Sequence, residues 1–452
     1  MMSENEIIRK IYFLGIGGIG MSALARYFRA KGTIIHGYDK TPSALTSELI
    51  SEGMVIHFSD DITQIPADID MVIYTPAIPK DLNEFNFLMK SGIPMYKRSQ
   101  VLGMITDGKT TVAVAGTHGK TSISSLIAHI LKSAGFPMTA LVGGISKNYQ
   151  SNFVTSGKEN IIVVEADEYD RSFLYLHPDI AVISAMDADH LDIYGTAGEM
   201  KQSFNDFAKN IKAGGKLIYR NGLQISSNPD TTRETYASVE NSTYTAFNLR
   251  PENGLQAFDL DIKGKIYNDV KLQIPGKHNV ENALAAIAVC VSVGVDTDSI
   301  LHAISTFTGV RRRFDVRLQQ PGKVYIDDYA HHPKELEAFI SAVRMLYPEK
   351  KITGLFQPHL YTRTKDFAEG FAQSLDMLDE TWLLDIYPAR ELPIPGVTSE
   401  IILNLMHSKA KKIISKTEVL ECLKASKPEI FLTIGAGDID LLIEPVTKIL
   451  AS

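Results

Sequence analysis

Short apolar runs recur along the chain, separated by longer segments in which apolar positions return every three or four residues. The runs Ile11–Leu14, Ile34–Tyr38, Met71–Tyr74, Thr111–Ala115, Ile161–Glu165 and Ile180–Ala185 predict strands. Later runs at Lys216–Tyr219, Val324–Ile326, Ile352–Phe356, Trp382–Ile386 and Ile430–Ile434 do the same. Segments such as Ser122–Lys132 and Asn279–Val291 carry the helical period between them. Strands alternating with helices predict parallel, doubly wound α/β sheets. One stretch departs from this. Phe258, Leu260 and Ile262, then Val270, Leu272 and Ile274, alternate on either side of Lys263-Gly264, which predicts an antiparallel hairpin.

Two breaks divide the pattern. Thr106–Thr110 (TDGKT) is polar and precedes a new strand; a basic run and a Pro-Gly pair do so near Arg311–Pro321. The resulting blocks are residues 1–107, 108–315 and 316–452. Composition narrows the class. The 452 residues are 44% apolar and 22% charged, as in ordinary globular proteins, with a formal net charge of −7. No global basic field draws such a chain to nucleic acid. Two cysteines, Cys290 and Cys422, exclude a disulfide scaffold and a cysteine zinc site. No apolar run reaches the roughly 18–20 residues that span a bilayer. The polar start MMSENEIIRK is unlike a signal peptide, so a cytoplasmic enzyme without membrane insertion is expected.

The chemistry gathers after the strands. Gly15-Ile16-Gly17-Gly18-Ile19-Gly20 follows the first strand and opens a helix, the arrangement that brings backbone N–H groups to a diphosphate. Asp39 ends the next strand, where dinucleotide folds keep an acid for ribose. Taken alone, this block leaves open a nicotinamide cofactor, another diphosphate ligand or an empty glycine turn. Gly116-Thr117-His118-Gly119-Lys120-Thr121 joins a strand to a helix and reads as a variant phosphate loop, with Val114 where the usual first glycine stands. In such a loop Lys120 reaches the terminal phosphates and Thr121 can hold Mg²⁺. Acidic strand ends follow at Glu165, Asp167, Glu168 and Asp170, and at Asp187, Asp189, His190 and Asp192. Glu165, nearest its strand, is the favoured metal ligand, and His190 is a second candidate; Asp170, Asp187 and Asp192 read as solvated loop charge. Asn279 and Asn282 open a helix, where Asn279 is either an N-cap or a base contact. Arg311–Arg313 is either a solvated face or the source of an arginine for a transferring phosphoryl group. DDYAHHP at Asp327–Pro333 and FQPHLYTR at Phe356–Arg363 follow later strands. Adjacent His331 and His332 rarely ligate one ion, which disfavours a metal there. A diphosphate site, an ATP–metal site and a cationic pocket together suit an enzyme that uses ATP to join two small molecules.

The chain resembles the Mur ligase family. The resemblance is carried by GIGGIGMSALA at Gly15–Ala25, GTHGKT at Gly116–Thr121, EADEYDRSFL at Glu165–Leu174 and DADHLDIYG at Asp187–Gly195. GKHNVENALAA at Gly276–Ala286, RRFD at Arg312–Asp315, DDYAHHP, FQPHLYTRT and TIGAGD at Thr433–Asp438 continue it through all three blocks. It implies three α/β domains: an N-terminal Rossmann-like domain for a UDP-sugar, a central ATPase domain with a mostly parallel sheet and a small antiparallel hairpin, and a C-terminal Rossmann-like domain for an amino acid. It implies attachment of L-alanine to the carboxylate of UDP-N-acetylmuramate through an acyl phosphate, by a monomer or weak homodimer. By position, the resemblance gives Gly116, Thr117, His118, Gly119, Lys120 and Thr121 to the ATP phosphates, and Asn282 and Asp328 to adenine and ribose. It gives Thr121, Glu165 and His190 to Mg²⁺ or Mn²⁺, and Lys120, His190 and Arg313 to catalysis. Gly17, Gly18, Asp39 and the turn Thr75-Pro76-Ala77 would face the UDP-sugar; His359 and Arg363 would face the amino-acid carboxylate. Two positions depart: Asn205 stands where several sibling ligases carry a carbamylated lysine, and Leu360 where some alanine-adding ligases have arginine. The alternatives are a recycling ligase that attaches a tripeptide to the same sugar, a nicotinamide-dependent oxidoreductase and a nucleotide-regulated binding protein.

Overall fold

The computed structural model describes residues 8–157, 159–189, 191–238, 241–252, 254–389 and 391–452. The strands form three sheets, in the expected α/β class. Two compact units emerge from the packing: Met1–Thr245 with Asn282–Ala303, and Ala246–Glu281 with Ile304–Ser452.

In the first unit, five strands pair in parallel in the order Val55–His57, Ile34–Tyr38, Lys10–Leu14, Met71–Tyr74, Met95–Lys97. The chain order reverses direction at the central strand Lys10–Leu14, which places the glycine turn at a topological switch point. The phosphate-loop strand Thr110–Ala115 lies between Ile180–Ile183 and Ile161–Glu165, parallel to both. Lys216–Arg220 and Thr232–Ser238 extend this parallel set on one side, and Met138–Ser146 on the other. Ser151–Thr155 pairs antiparallel at that edge. Buried on both faces, these strands read as continuous apolar runs (IIVVE, IAVI), as parallel sheets between helices require. One apolar cluster runs from Ile11 and Phe13 through Tyr27, Leu141 and Ile183 to Ile225, so the first sheet's helices and the central sheet share a core.

Polar groups fix that seam. The Arg26 side chain, 5% exposed, pairs with Glu52 at 2.6 Å and Glu48 at 3.2 Å. Its third branch donates to Asn152 Oδ1, while Asn152 Nδ2 donates to the Ile19 carbonyl and Ser22 Oγ. No apolar pattern announces such contacts, because each partner is distant in sequence.

In the second unit, Leu255–Ile262 and Lys265–Leu272 form the predicted hairpin, antiparallel with Ile262 opposite Lys265. The last sheet orders Asp315–Gln320, Lys323–Asp328, Ile430–Ile434, Ile352–Phe356, Glu380–Leu383 and Lys411–Ile413. It is parallel apart from its antiparallel edge strand Asp315–Gln320, so it is a mixed sheet. Two strand ends shift from expectation. Ile180–Ile183 stops before Ser184 because the Ser184 and Ala185 backbone turns to the phosphate loop, and Glu380–Leu383 ends before Leu384.

Candidate active site

The phosphate loop follows the buried strand Thr110–Ala115 and opens the 14-residue helix Lys120–Ser133. Two of its glycines are required by geometry. Gly116 sits at φ +130°, where a Cβ would lie 2.2 Å from Ser184 Oγ and 2.8 Å from the Ala185 nitrogen. Gly119 sits at φ +83°, where a Cβ would lie 2.5 Å from Asn282 Oδ1. Only glycine takes both the torsion and the space. The Thr117 N–H donates to the Ala185 carbonyl at 3.1 Å, and the Asp187 N–H to Thr117 Oγ1 at 3.2 Å. His118 Nε2 lies 3.3 Å from Asp187 Oδ2, so Asp187 is engaged with the loop rather than being the solvated charge expected of it.

Below the loop, Thr121 Oγ1 donates to Glu165 Oε2 at 3.3 Å and Ser124 Oγ to Glu165 Oε1 at 3.1 Å; the Gly143 N–H also donates to Oε1. Burial pushes the Glu165 carboxyl above its ordinary range, opposed by the Gly143 N–H and the Lys120 charge. A hydroxyl and a carboxylate beside a glycine cradle form an oxygen donor set that suits a hard divalent cation. The Lys120 ammonium donates to the Gly116 carbonyl at 2.8 Å and to both oxygens of Glu168 at 2.7 Å. Burial alone would lower its pKa, but Glu168, Asp167 and Glu165 outweigh that and raise it. Asn282 lies in the second turn of the helix Lys277–Ser292 and brings its Oδ1 against Gly119. His190 lies outside the described residues. Among those described, no cluster of three or more His, Cys, Asp or Glu residues has metal-site geometry.

At the N-terminal glycine turn, Gly15 has φ +83°, and a Cβ there would meet Thr75 Cγ2 at 2.7 Å. Thr75, the first residue of the turn Thr75-Pro76-Ala77, therefore packs against it. The Gly17 N–H donates to Asp39 Oδ2 at 2.7 Å, so Asp39 braces the turn. Gly18 is the N-cap of the helix Ile19–Ala30. Arg98 overlies Gly20 and donates to Asp167 Oδ2 at 3.2 Å, linking this turn to the acidic strand end. Sequence reasoning passed over Arg98 entirely and gave Glu168 no role. Glu168 stood in the quoted acidic cluster, but Arg98 had no local signal.

In the second unit, Asp328 ends its strand and accepts from the Phe314 N–H at 2.7 Å and the Ala330 N–H at 2.8 Å. Burial pushes its carboxyl up to about 7, against the nearby Arg313 charge. Arg313 and Arg312 lie over the Tyr329 ring at 4.9 and 5.2 Å. Arg312 also donates to Asp327 at 3.2 Å and to the Gly435 carbonyl at 2.6 Å, so this arginine of the basic run is engaged with the sheet rather than solvated. His278 is buried, and desolvation lowers it to about 4. Asn279 Nδ2 donates to the Pro275 carbonyl at 2.7 Å, as a residue holding its own turn does. His359 stacks on Tyr387 with ring centres 5.7 Å apart and reaches Arg363 at 3.5 Å; His331 lies 6.2 Å from it. Leu360, between His359 and Arg363 in sequence, is at φ +70° and 5% exposed. Asn205, in the first unit, accepts from the Ser226 N–H at 2.9 Å and so ties a loop.

A glycine loop joining strand to helix over a hydroxyl–carboxylate pair, at the carboxyl end of parallel strands, defines an α/β fold of the nucleotide-binding kind. Models of the Mur ligase family catalytic domain, the Mur ligase middle domain and the Mur ligase glutamate ligase domain match residues 10–110, 114–290 and 312–437. The chain belongs to the Mur ligase family. It is 48% identical to a UDP-N-acetylmuramate–L-alanine ligase of Flavobacterium johnsoniae over 453 residues, covering 99% of each chain. It is 46% identical to the enzyme of that name from Porphyromonas gingivalis, covering 98% of this chain and 99% of that one. Among solved structures, the UDP-N-acetylmuramate–alanine ligase of Thermotoga maritima matches with a TM-score of 0.83 at 28% identity, over 97% and 98% of the two chains. A murein peptide ligase of Psychrobacter arcticus shares the fold, with a TM-score of 0.72 at 20% identity over 98% and 99%.

Proposed function

We propose that the chain is an ATP-dependent ligase that joins L-alanine to the lactyl carboxylate of UDP-N-acetylmuramate, the first amino-acid addition to the peptidoglycan stem. The observation that carries this is its near-full-length identity with relatives bearing that activity in their names. The glycine cradle at Gly116–Thr121 supports the nucleotide half of the reading. The same relatives weigh against the tripeptide-attaching and oxidoreductase alternatives.

A carboxylate is a poor electrophile, because its charge repels an amine and oxide is not a leaving group. Transfer of the ATP γ-phosphoryl group to it gives an acyl phosphate. The alanine amine then attacks the carbonyl carbon, the tetrahedral centre collapses, and phosphate leaves. Lys120 and the Gly116–Thr121 amides neutralise charge on the phosphates. Arg313 offsets charge at the transferring group, and Asn282 and Asp328 hold adenine and ribose. Gly17, Gly18, Asp39 and Thr75-Pro76-Ala77 face the UDP-sugar. Arg363 with His359 receives the amino-acid carboxylate, with Leu360 leaving the pocket one cation poorer. Thr121 and Glu165, with His190 by family position, would hold Mg²⁺ or Mn²⁺, which when bound screens the phosphate charge from the substrate carboxylate. The domain boundaries are taken as 107/108 and 315/316, and the site of action as the cytoplasm. No helix among the described residues is long and apolar enough to cross a membrane.

The test is phosphate release from ATP with UDP-N-acetylmuramate, supplying L-alanine, glycine, L-serine or the tripeptide separately. Release that needs the UDP-sugar and is strongest with L-alanine is expected. Preference for the tripeptide would move the chain to the recycling branch, and no release with any acceptor would refute the ligase reading.

A further inference from the structure

We propose that Glu168 is a latch on the phosphate-binding lysine, a carboxylate that the nucleotide must displace from Lys120 before its own phosphates are neutralised. The inference rests on the nucleotide reading of the loop and adds a residue to it. An ammonium group has three protons. Here three oxygens take them: the Gly116 carbonyl at 2.8 Å and the two Glu168 oxygens at 2.7 Å. Lys120 is therefore saturated by the protein itself.

The latch is built to hold. The Glu168 side chain is 1% exposed, so water cannot take over when the lysine leaves. Its backbone is pinned by the hydroxyl of Tyr194, itself 1% exposed, which donates to the Glu168 carbonyl at 2.5 Å. The preceding residue, Asp167, is held by Arg98, which lies over Gly20 at the start of the first helix. The latch thus adjoins the turn assigned to the UDP-sugar.

A phosphate that needs Lys120 meets a loop of which only the unlatched fraction is competent, and its apparent dissociation constant is raised by the reciprocal of that fraction. Removing the charge of Glu168 sets the fraction to one. Nucleotide binding should then tighten, while turnover falls because Lys120 loses its guide. A merely structural role would weaken both, so the sign of the binding change separates the two.

The experiment uses the full chain and titrates a non-hydrolysable ATP analogue with Mg²⁺ into the wild type, Glu168→Gln, Glu168→Asp and Asp167→Asn by calorimetry, with kcat and KM for ATP measured alongside. Asp167→Asn removes the same charge one residue away without touching Lys120, and sets the purely electrostatic baseline. Glu168→Gln is expected to tighten analogue binding by about tenfold, as for a loop unlatched in roughly one molecule in ten, well beyond Asp167→Asn, and to lower kcat. Unchanged or weaker binding in Glu168→Gln, or a change equal to that of Asp167→Asn, overturns the latch. If the glutamine variant does not fold, Glu168→Asp decides. Its shorter arm cannot reach Lys120 with both oxygens, so tighter binding than wild type supports the latch and unchanged binding overturns it. Failure of the wild type to bind the analogue would instead refute the nucleotide reading itself.

Discussion

Lys120→Ala is the obvious variant for silencing a phosphate loop, and the structure shows that it will not be a clean one. The ammonium it removes is the counter-charge of Glu168, whose side chain is 1% exposed at 2.7 Å. Breaking a buried pair by deleting one partner costs about 3–5 kcal/mol. Protonation of the stranded carboxyl sets a ceiling on that cost. For a glutamate of ordinary pKa ~4.3, protonation costs roughly 4 kcal/mol at pH 7 and about 1 kcal/mol at pH 5. The sign follows from linkage: a carboxyl whose pKa is raised on folding favours the folded state at low pH and opposes it as pH rises. Lys120→Ala should therefore be destabilised by about 3–4 kcal/mol at pH 7 and by about 1 kcal/mol at pH 5. Lys120→Ala/Glu168→Gln should regain most of that stability at pH 7 and none of the activity. A multidomain chain does not unfold in one step. The assay is accordingly hydrogen exchange of the helix Lys120–Ser133, read by mass spectrometry and corrected for intrinsic rate at each pH. Wild-type protection in Lys120→Ala at pH 7, or a double variant no better than the single one, would refute the reasoning.

Other consequences are equally direct. Gly116→Ala forces a Cβ against Ser184 and the Ala185 backbone from a torsion that L-residues avoid. It should cost about 2–4 kcal/mol and abolish analogue binding, which calorimetry and thermal melting check together. His278, buried and lowered to about 4, destabilises the second unit as pH falls from ~6.5 towards 4, by roughly 3 kcal/mol. Exchange protection around residues 277–281 should fall with pH in the wild type and stay flatter in His278→Gln. Asn152→Ala leaves one Arg26 branch without its acceptor and takes a donor from the Ile19 carbonyl and Ser22 Oγ in a buried seam. A loss of about 1–3 kcal/mol is expected from urea denaturation of the first unit, with wild-type KM for L-alanine. Gly17→Ala crowds Asp39 and Thr46 at 2.8 Å. Its KM for the UDP-sugar should rise while analogue binding at the central loop is unchanged.

Local chemistry made most of the architecture readable in the sequence. Parallel strands buried on both faces must be continuous apolar runs, and the Lys263-Gly264 turn between alternating residues must be a hairpin. A phosphate loop needs glycine where the torsion is positive, so Gly116, Gly119, Lys120 and Thr121 announce themselves in six consecutive residues. Glu165 was legible because a strand end fixes where its side chain can go. The strands Met138–Ser146 and Ser151–Thr155 were not legible, because Gly143 and Gly144 interrupt one and polar residues alternate through the other.

What only the tertiary structure decided is pairing. Which acid of Glu165, Asp167 and Glu168 faces Thr121, which meets Arg98 and which holds Lys120 depends on strands and helices that converge from far apart in sequence. The same holds for Arg26 with Asn152, 126 residues apart, and for Arg312 with Gly435, 123 residues apart. Residue types record that charges are needed at a strand end, since solvation and sheet geometry act locally. The choice of partner is set by distances that exist only once the sheets are packed, and there a one-residue step between neighbouring acids separates Asp167, held by Arg98, from Glu168, held by Lys120.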